Sequence, residues 1–185
     1  MNQTLIGNIT YFILLTQAIG FIGMIMNFTS YQQNTNRRII FFQIIGALFF
    51  CAHFFLLAQN EPGAYVGSAL NGIGFLRNAV FWFRPKKWAE NIIWLYIFCI
   101  SYIIAGVITW DSYISLLPVV GMLIGSYGLF EKNTTKTRRL MLGCSISWII
   151  YNTLTGSVPG FVTEVFTISS IVIAMYKFDF RKDKI

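Results

Sequence analysis

Six side chains have the types and spacing to hold a small polar molecule: Asn71, Asn152, Trp148, His53, Gln43 and Glu164. Each lies within an apolar run, where an unpaired polar group is costly, so each is expected to face other helices and not lipid. Asn71 shares a stripe with Ser68, Gly74 and Asn78, and Asn152 one with Ser145, Trp148 and Thr155. Spacings of three and four put each set on one helical face. Two amides and an aromatic plate suit a neutral solute such as a sugar, nucleoside or vitamin. The amides bond hydroxyls or ring nitrogens while the indole stacks. His53, the single histidine, stands on a stripe with Gln43, Gly46 and Phe50, and imidazole is the side chain that titrates near physiological pH, which would allow proton coupling. Glu164 lies with Gly160, Thr167 and Ser170 on a fourth stripe.

Other chemistry is poorly served. Cys51, Cys99 and Cys144 lie in three different apolar runs, without a CxxC pair or a second histidine. Neither a disulfide framework nor a zinc site is expected. HExxH and GxSxG are absent, so the chain is not expected to be an enzyme or to need a cofactor. The competing reading of the stripes is that they only pack helices, since Ser, Thr, Asn and Gln bond across helix interfaces in lipid. The chain would then be a non-transporting membrane sensor or assembly partner.

The elements that carry these residues follow from composition. Of 185 residues, 56% are hydrophobic and 11% charged, and the mean hydropathy is +0.62. A soluble domain carries about 25% charged residues. A span takes about 20 apolar residues, so seven spans use about 140 and leave about 45 for every connection and tail. The apolar runs predict helices over residues 9–28, 39–57, 64–83, 91–110, 113–130, 140–156 and 161–178. No Lys or Arg precedes Arg37, so the first run is expected to stay in place as a span and not to be a cleaved signal.

The net charge of +7 reads as topology, not as a nucleic-acid surface. Arg37 and Arg38 follow the first helix, Arg84, Lys86 and Lys87 the third, and Lys132, Lys136, Arg138 and Arg139 the fifth, while Lys177, Arg181, Lys182 and Lys184 close the chain. These are 13 of the 14 basic residues, and all fall on one side if the N-terminus is outside and the C-terminus inside. The fourteenth, Arg77, lies within the third helix, about 10 Å from the basic edge at helical rise. Depth disfavours its pairing with Glu164.

The halves repeat. Gly46 to Gly63 and Gly143 to Gly160 have equal length and share the first Gly, a late Leu and the closing Pro-Gly; Arg37-Arg38 matches Arg138-Arg139, and Gly23-Met24 matches Gly121-Met122. Three-helix repeats joined by one helix lie parallel in the membrane. The expected fold is therefore all-α integral membrane, seven helices as three plus one plus three, with residues 1–83 the first bundle, 84–112 the linker helix, and 113–185 the second bundle and basic tail.

This plan resembles the SWEET (PQ-loop) sugar facilitators and the PnuC-type vitamin and nucleoside carriers. Pro118 stands where such bundles carry the proline of their PQ motif, and Gln17 takes the corresponding place in the first helix. Four further features resemble the YgjV-type bacterial inner-membrane proteins: the Arg-Arg loop, the Gly-Ala-x-x-Phe-x-x-His-Phe run through His53, the run from Leu70 through Asn71 to Arg77-Asn78, and the Trp-x-x-Tyr-Asn-x-x-x-Gly-Ser run from Trp148 to Ser157. That resemblance implies a bacterial inner membrane. The expected function is facilitated movement of a small polar metabolite by alternating access, with proton coupling left open. The expected partners are that solute and the lipid bilayer, with no nucleic acid, and the lipid-facing surfaces leave room for a homo-oligomer.

Overall fold

Turn chemistry sets where each helix begins and ends. In the computed structural model, which describes residues 2–31, 36–83, 86–131 and 133–180, seven α-helices carry the chain: α1 Asn2–Tyr31, α2 Asn36–Leu57, α3 Tyr65–Trp82, α4 Ile93–Ile108, α5 Leu116–Phe130, α6 Thr134–Leu154 and α7 Val158–Met175. Short 3-10 turns, Pro62–Ala64 and Tyr113–Ser115, lead into α3 and α5, and a π-turn, Tyr176–Phe180, follows α7. No strand occurs among the described residues. Arg84, Lys132, Arg181, Lys182 and Lys184 of the predicted basic clusters lie outside them.

Two boundaries differ from the hydropathy pattern for a local reason. α6 starts at Thr134 and not Leu140 because the Asn133 side chain accepts from the Thr135 and Lys136 amides at 3.0 and 3.2 Å, which satisfies two of the unpaired first-turn donors. α7 starts at Val158 and not Phe161, with Ser157 as its cap and Pro159 in its first turn. Apolar runs mark burial in lipid, whereas caps mark the helix.

Stretches of α1, α2 and α7 are long and apolar enough on their own to cross a bilayer: Thr10–Ser30, Ile40–Leu57 and Val158–Met175. Ile93–Ile108 is apolar but short, about 24 Å at helical rise. α3 and α6 carry Asn71, Arg77 and Asn78, or Lys136, Arg138 and Arg139, within their helical length.

α2 packs between α1 and α3, and α6 between α5 and α7; α4 lies against α3 and α5. The two outer sets meet along α1 with α7 and α3 with α5. Close approach at the α1–α2 crossing depends on Gly23, where an added Cβ would lie 3.2 Å from the Gly46 carbonyl oxygen. At the α5–α6 crossing, a Cβ on Gly121 would lie 2.9 Å from Trp148 and 3.4 Å from the Cys144 carbonyl. The core is aromatic, built on Phe50, Phe54, Tyr102, Trp148 and Tyr151.

At the basic end, Arg138 of α6 grips Asp179 of the π-turn through both carboxylate oxygens, and Thr135 donates to the same carboxylate at 2.9 Å. The Arg138 hydrogen bond holds the Asp179 carboxyl below its ordinary range. A carboxyl with a depressed folded value contributes fully above its unfolded value of about 3.9 and loses that contribution only as pH falls through the folded one. Amide protection factors of the π-turn should therefore be flat from neutral pH down to the usual carboxylate range. Asp179→Asn should lower them across that whole window.

Candidate functional site

The α6–α7 turn is where the polar side chains converge. Gly156 has φ +68°, the left-handed conformation that closes a helix. Ser157 N–H donates back to the Asn152 carbonyl at 2.9 Å and Gly156 N–H to that of Thr153 at 3.4 Å, the paired bonds of a Schellman ending. Ser157 thus ends α6 and caps α7, its Oγ accepting from Gly160 N–H at 3.2 Å.

His53 of α2 is fully buried and joins this turn to α1. Its Nδ1 lies 2.8 Å from the Thr16 carbonyl and its Nε2 2.8 Å from Ser157 Oγ. A carbonyl only accepts, so Nδ1 carries the proton; in the neutral ring Nε2 then accepts from the Ser157 hydroxyl. The chain Gly160 N–H, Ser157 O–H, His53, Thr16 carbonyl is complete, with every donor matched to an acceptor. Gln17, one residue on, donates from Nε2 to the Gly156 carbonyl at 3.1 Å. Gly20 lets α1 reach this cluster, since a Cβ there would lie 2.4 Å from Pro159 Cγ and 2.8 Å from His53 Nδ1.

Tyr151, also fully buried, does similar work for α3. Its hydroxyl accepts from Gly67 N–H at 3.0 Å and donates to the Gly63 carbonyl at 3.0 Å. Those two backbone groups would otherwise pair directly in the helical ladder, so a side chain from α6 is inserted into the first turn of α3.

The predicted site residues fare differently. Asn152 is buried at the α6–α7 turn, and its Oδ1 has no hydrogen-bond partner; neither has the buried Oε1 of Gln17. Trp148 is buried one turn away, with its ring 5.6 Å from that of Tyr151 and 6.1 Å from that of Phe54. Asn71 instead donates to the Gly67 carbonyl of its own helix at 2.9 Å. Glu164 is half-buried on α7 beside Ser145, and Gln43 lies ten residues from His53, about 15 Å along α2. The structure thus gathers His53, Asn152 and Trp148 towards one end of the bundle and keeps Gln43 apart.

Thr16, Gln17, Tyr151 and Ser157 complete the cluster. Their sequence signal is faint. A Ser ahead of Val-Pro-Gly is a helix-cap pattern, and Tyr151 adjoins Asn152, but nothing local pairs either with its partners.

Residues 14–182 match the Imp-YgjV family, described as bacterial inner membrane protein. The chain belongs to that family. It is also 25% identical over 158 residues to inner membrane protein YgjV of Escherichia coli (strain K12), an overlap covering 81% of this chain and 76% of that protein. No solved structure is significantly similar. The protein is accordingly a multi-pass protein of the bacterial inner membrane, and the family gives its location without a chemical role.

Proposed function

We propose that the chain is a facilitator of a small polar metabolite, built as two parallel three-helix repeats joined by α4, with the N-terminus outside and the C-terminus inside. The observation that carries the reading is the pair of buried amide oxygens, Gln17 Oε1 and Asn152 Oδ1, left without donors beside the seam between α1 and α7. Buried acceptors are rarely left unpaired. A solute bearing hydroxyl or N–H groups, such as a sugar, nucleoside or vitamin, supplies the missing donors, with Trp148 as an aromatic wall. Exchange of the repeats maps the α1–α7 contact onto that of α5 with α3, and both contacts occur. It also maps Phe54 onto Tyr151, whose rings pack 5.7 Å apart, as side chains near a pseudo-two-fold axis do. In this reading His53 and Ser157 latch the outer end shut, and rocking of the bundles opens it.

Asn152→Leu tests the proposal, because it separates binding from packing. Loss of an unpartnered acceptor in favour of an apolar side chain of similar size is expected to leave the melting temperature unchanged or slightly higher. Solute uptake into proteoliposomes, screened first with the native protein over sugars, nucleosides and vitamins, should fall to background. Uptake equal to native would sink the site.

A second reading, a non-transporting sensor or assembly partner, is favoured by one observation: His53, Tyr151 and Asn71 are all bonded within the protein. The groove of about 420 Å³ between α2 and α3, lined by Leu48, Phe49, Cys51, Ala52, Phe55 and Ser68, is largely apolar and suits an acyl chain better than a metabolite. A native protein that moves none of the screened solutes supports this alternative.

A further inference from the structure

The donor-rich counterpart of the outer cluster lies towards the basic end of the bundle. Arg77 of α3 reaches across the seam to α5, where its Nη1 donates to Ser126 Oγ at 3.0 Å. Its Nε is buried without a partner, and the Nε–Nη2 edge is the one that receives a carboxylate through two parallel bonds. Tyr102 of α4 is fully buried, and its hydroxyl also lacks a partner. Gly74, one turn before Arg77, brings α3 against both the Tyr102 hydroxyl and the flexible Met122 side chain, since a Cβ there would lie 4.0 Å from that hydroxyl and 3.2 Å from the Met122 methyl. Among the described residues no carboxylate forms an ion pair with Arg77. Glu164 of α7 lies beside Ser145.

An arginine inside a bundle marks an ion or substrate site when no protein anion neutralises it. The missing group must carry negative charge and accept from two directions at once, from the guanidinium edge and from the phenol. We propose that Arg77, Tyr102 and Ser126 form a binding site for a small carboxylate, between α3, α4 and α5. The site differs from the outer cluster in position and in sign: there the orphan atoms are acceptors, here donors. It stands whether or not the protein carries a neutral solute.

The test is a thermal-shift titration of the full chain in detergent with sodium acetate, succinate and benzoate, against sodium chloride at equal ionic strength. A carboxylate that binds the folded state raises Tm saturably, and chloride should not match it. Tyr102→Phe, which removes only the hydroxyl, should weaken the apparent affinity about tenfold. Arg77→Lys keeps the charge but loses the planar fork, and should weaken it at least as much. Glu61→Gln, in the exposed turn before α3, should leave it unchanged. No response to any carboxylate overturns the proposal, as does a response that Tyr102→Phe and Arg77→Lys leave intact or that Glu61→Gln also abolishes. Nanodiscs of phosphatidylglycerol against phosphatidylcholine separate the sources: an Arg77-dependent stabilisation by the anionic lipid alone, without a soluble-carboxylate response, assigns the charge to a headgroup and overturns the site for a soluble ligand.

Discussion

His53→Ala is expected to lower the unfolding free energy by about 3 kcal/mol, from two bonds and a cavity. Interhelical hydrogen bonds in lipid average about 0.6 kcal/mol and reach about 1.7, so loss of both imidazole bonds costs about 1–2. Removal of the ring opens a cavity of roughly 60 Å³, at about 24 cal/mol per Å³ a further ~1.5 kcal/mol. His53→Leu, which refills most of the space and breaks the same bonds, should therefore cost about half as much. Equilibrium unfolding in mixed micelles gives both values, and a cycle with Ser157→Ala should return a coupling of about 1 kcal/mol. A loss below 1 kcal/mol for His53→Ala would falsify the latch, because the imidazole would then hold neither α1 nor α7.

Gly20→Ala is the second large effect, also destabilising but from the opposite cause: it adds atoms where none fit. The new Cβ would lie 2.4 Å from Pro159 Cγ and 2.8 Å from His53 Nδ1. The proline ring is fixed to the α7 backbone and the imidazole is held by two bonds, so neither neighbour can yield cheaply. α1 must instead move off α7, at a cost of about 1–3 kcal/mol. If that seam is a gate, the displacement exposes the buried α6–α7 turn. A Thr155→Cys reporter should then be labelled from outside by a membrane-impermeant maleimide in the Gly20→Ala background and protected without it. Destabilisation without labelling would mean that the seam is only packing.

The helices and their order are legible in the sequence because hydropathy is a local property, written into each segment. α2, α3 and α5 lie within a few residues of the predicted runs. The early starts of α6 and α7 are also local, and a reading of caps at Asn133 and Ser157 would have found them. The candidate site was legible only in part. Asn71 and Asn152 are the same residue type on comparable stripes, yet one donates to its own helix and the other keeps a buried oxygen unpaired. Periodicity names the face of a helix, but not its rotation against a neighbour or the depth at which two faces meet.

What the sequence alone determined is therefore the membrane class, the seven helices and the residues that must avoid lipid, since all three follow from the cost of polar groups in hydrocarbon. Tertiary structure decided which of those residues meet. His53 finds Ser157 across 104 residues of chain, Tyr151 enters the first turn of α3 across 84, and Arg77 turns across the bundle to Ser126. Such pairings depend on helix rotation and on the small side chains that let helices approach, as Gly20 does for α1 and α7. Neither is a property of any one segment.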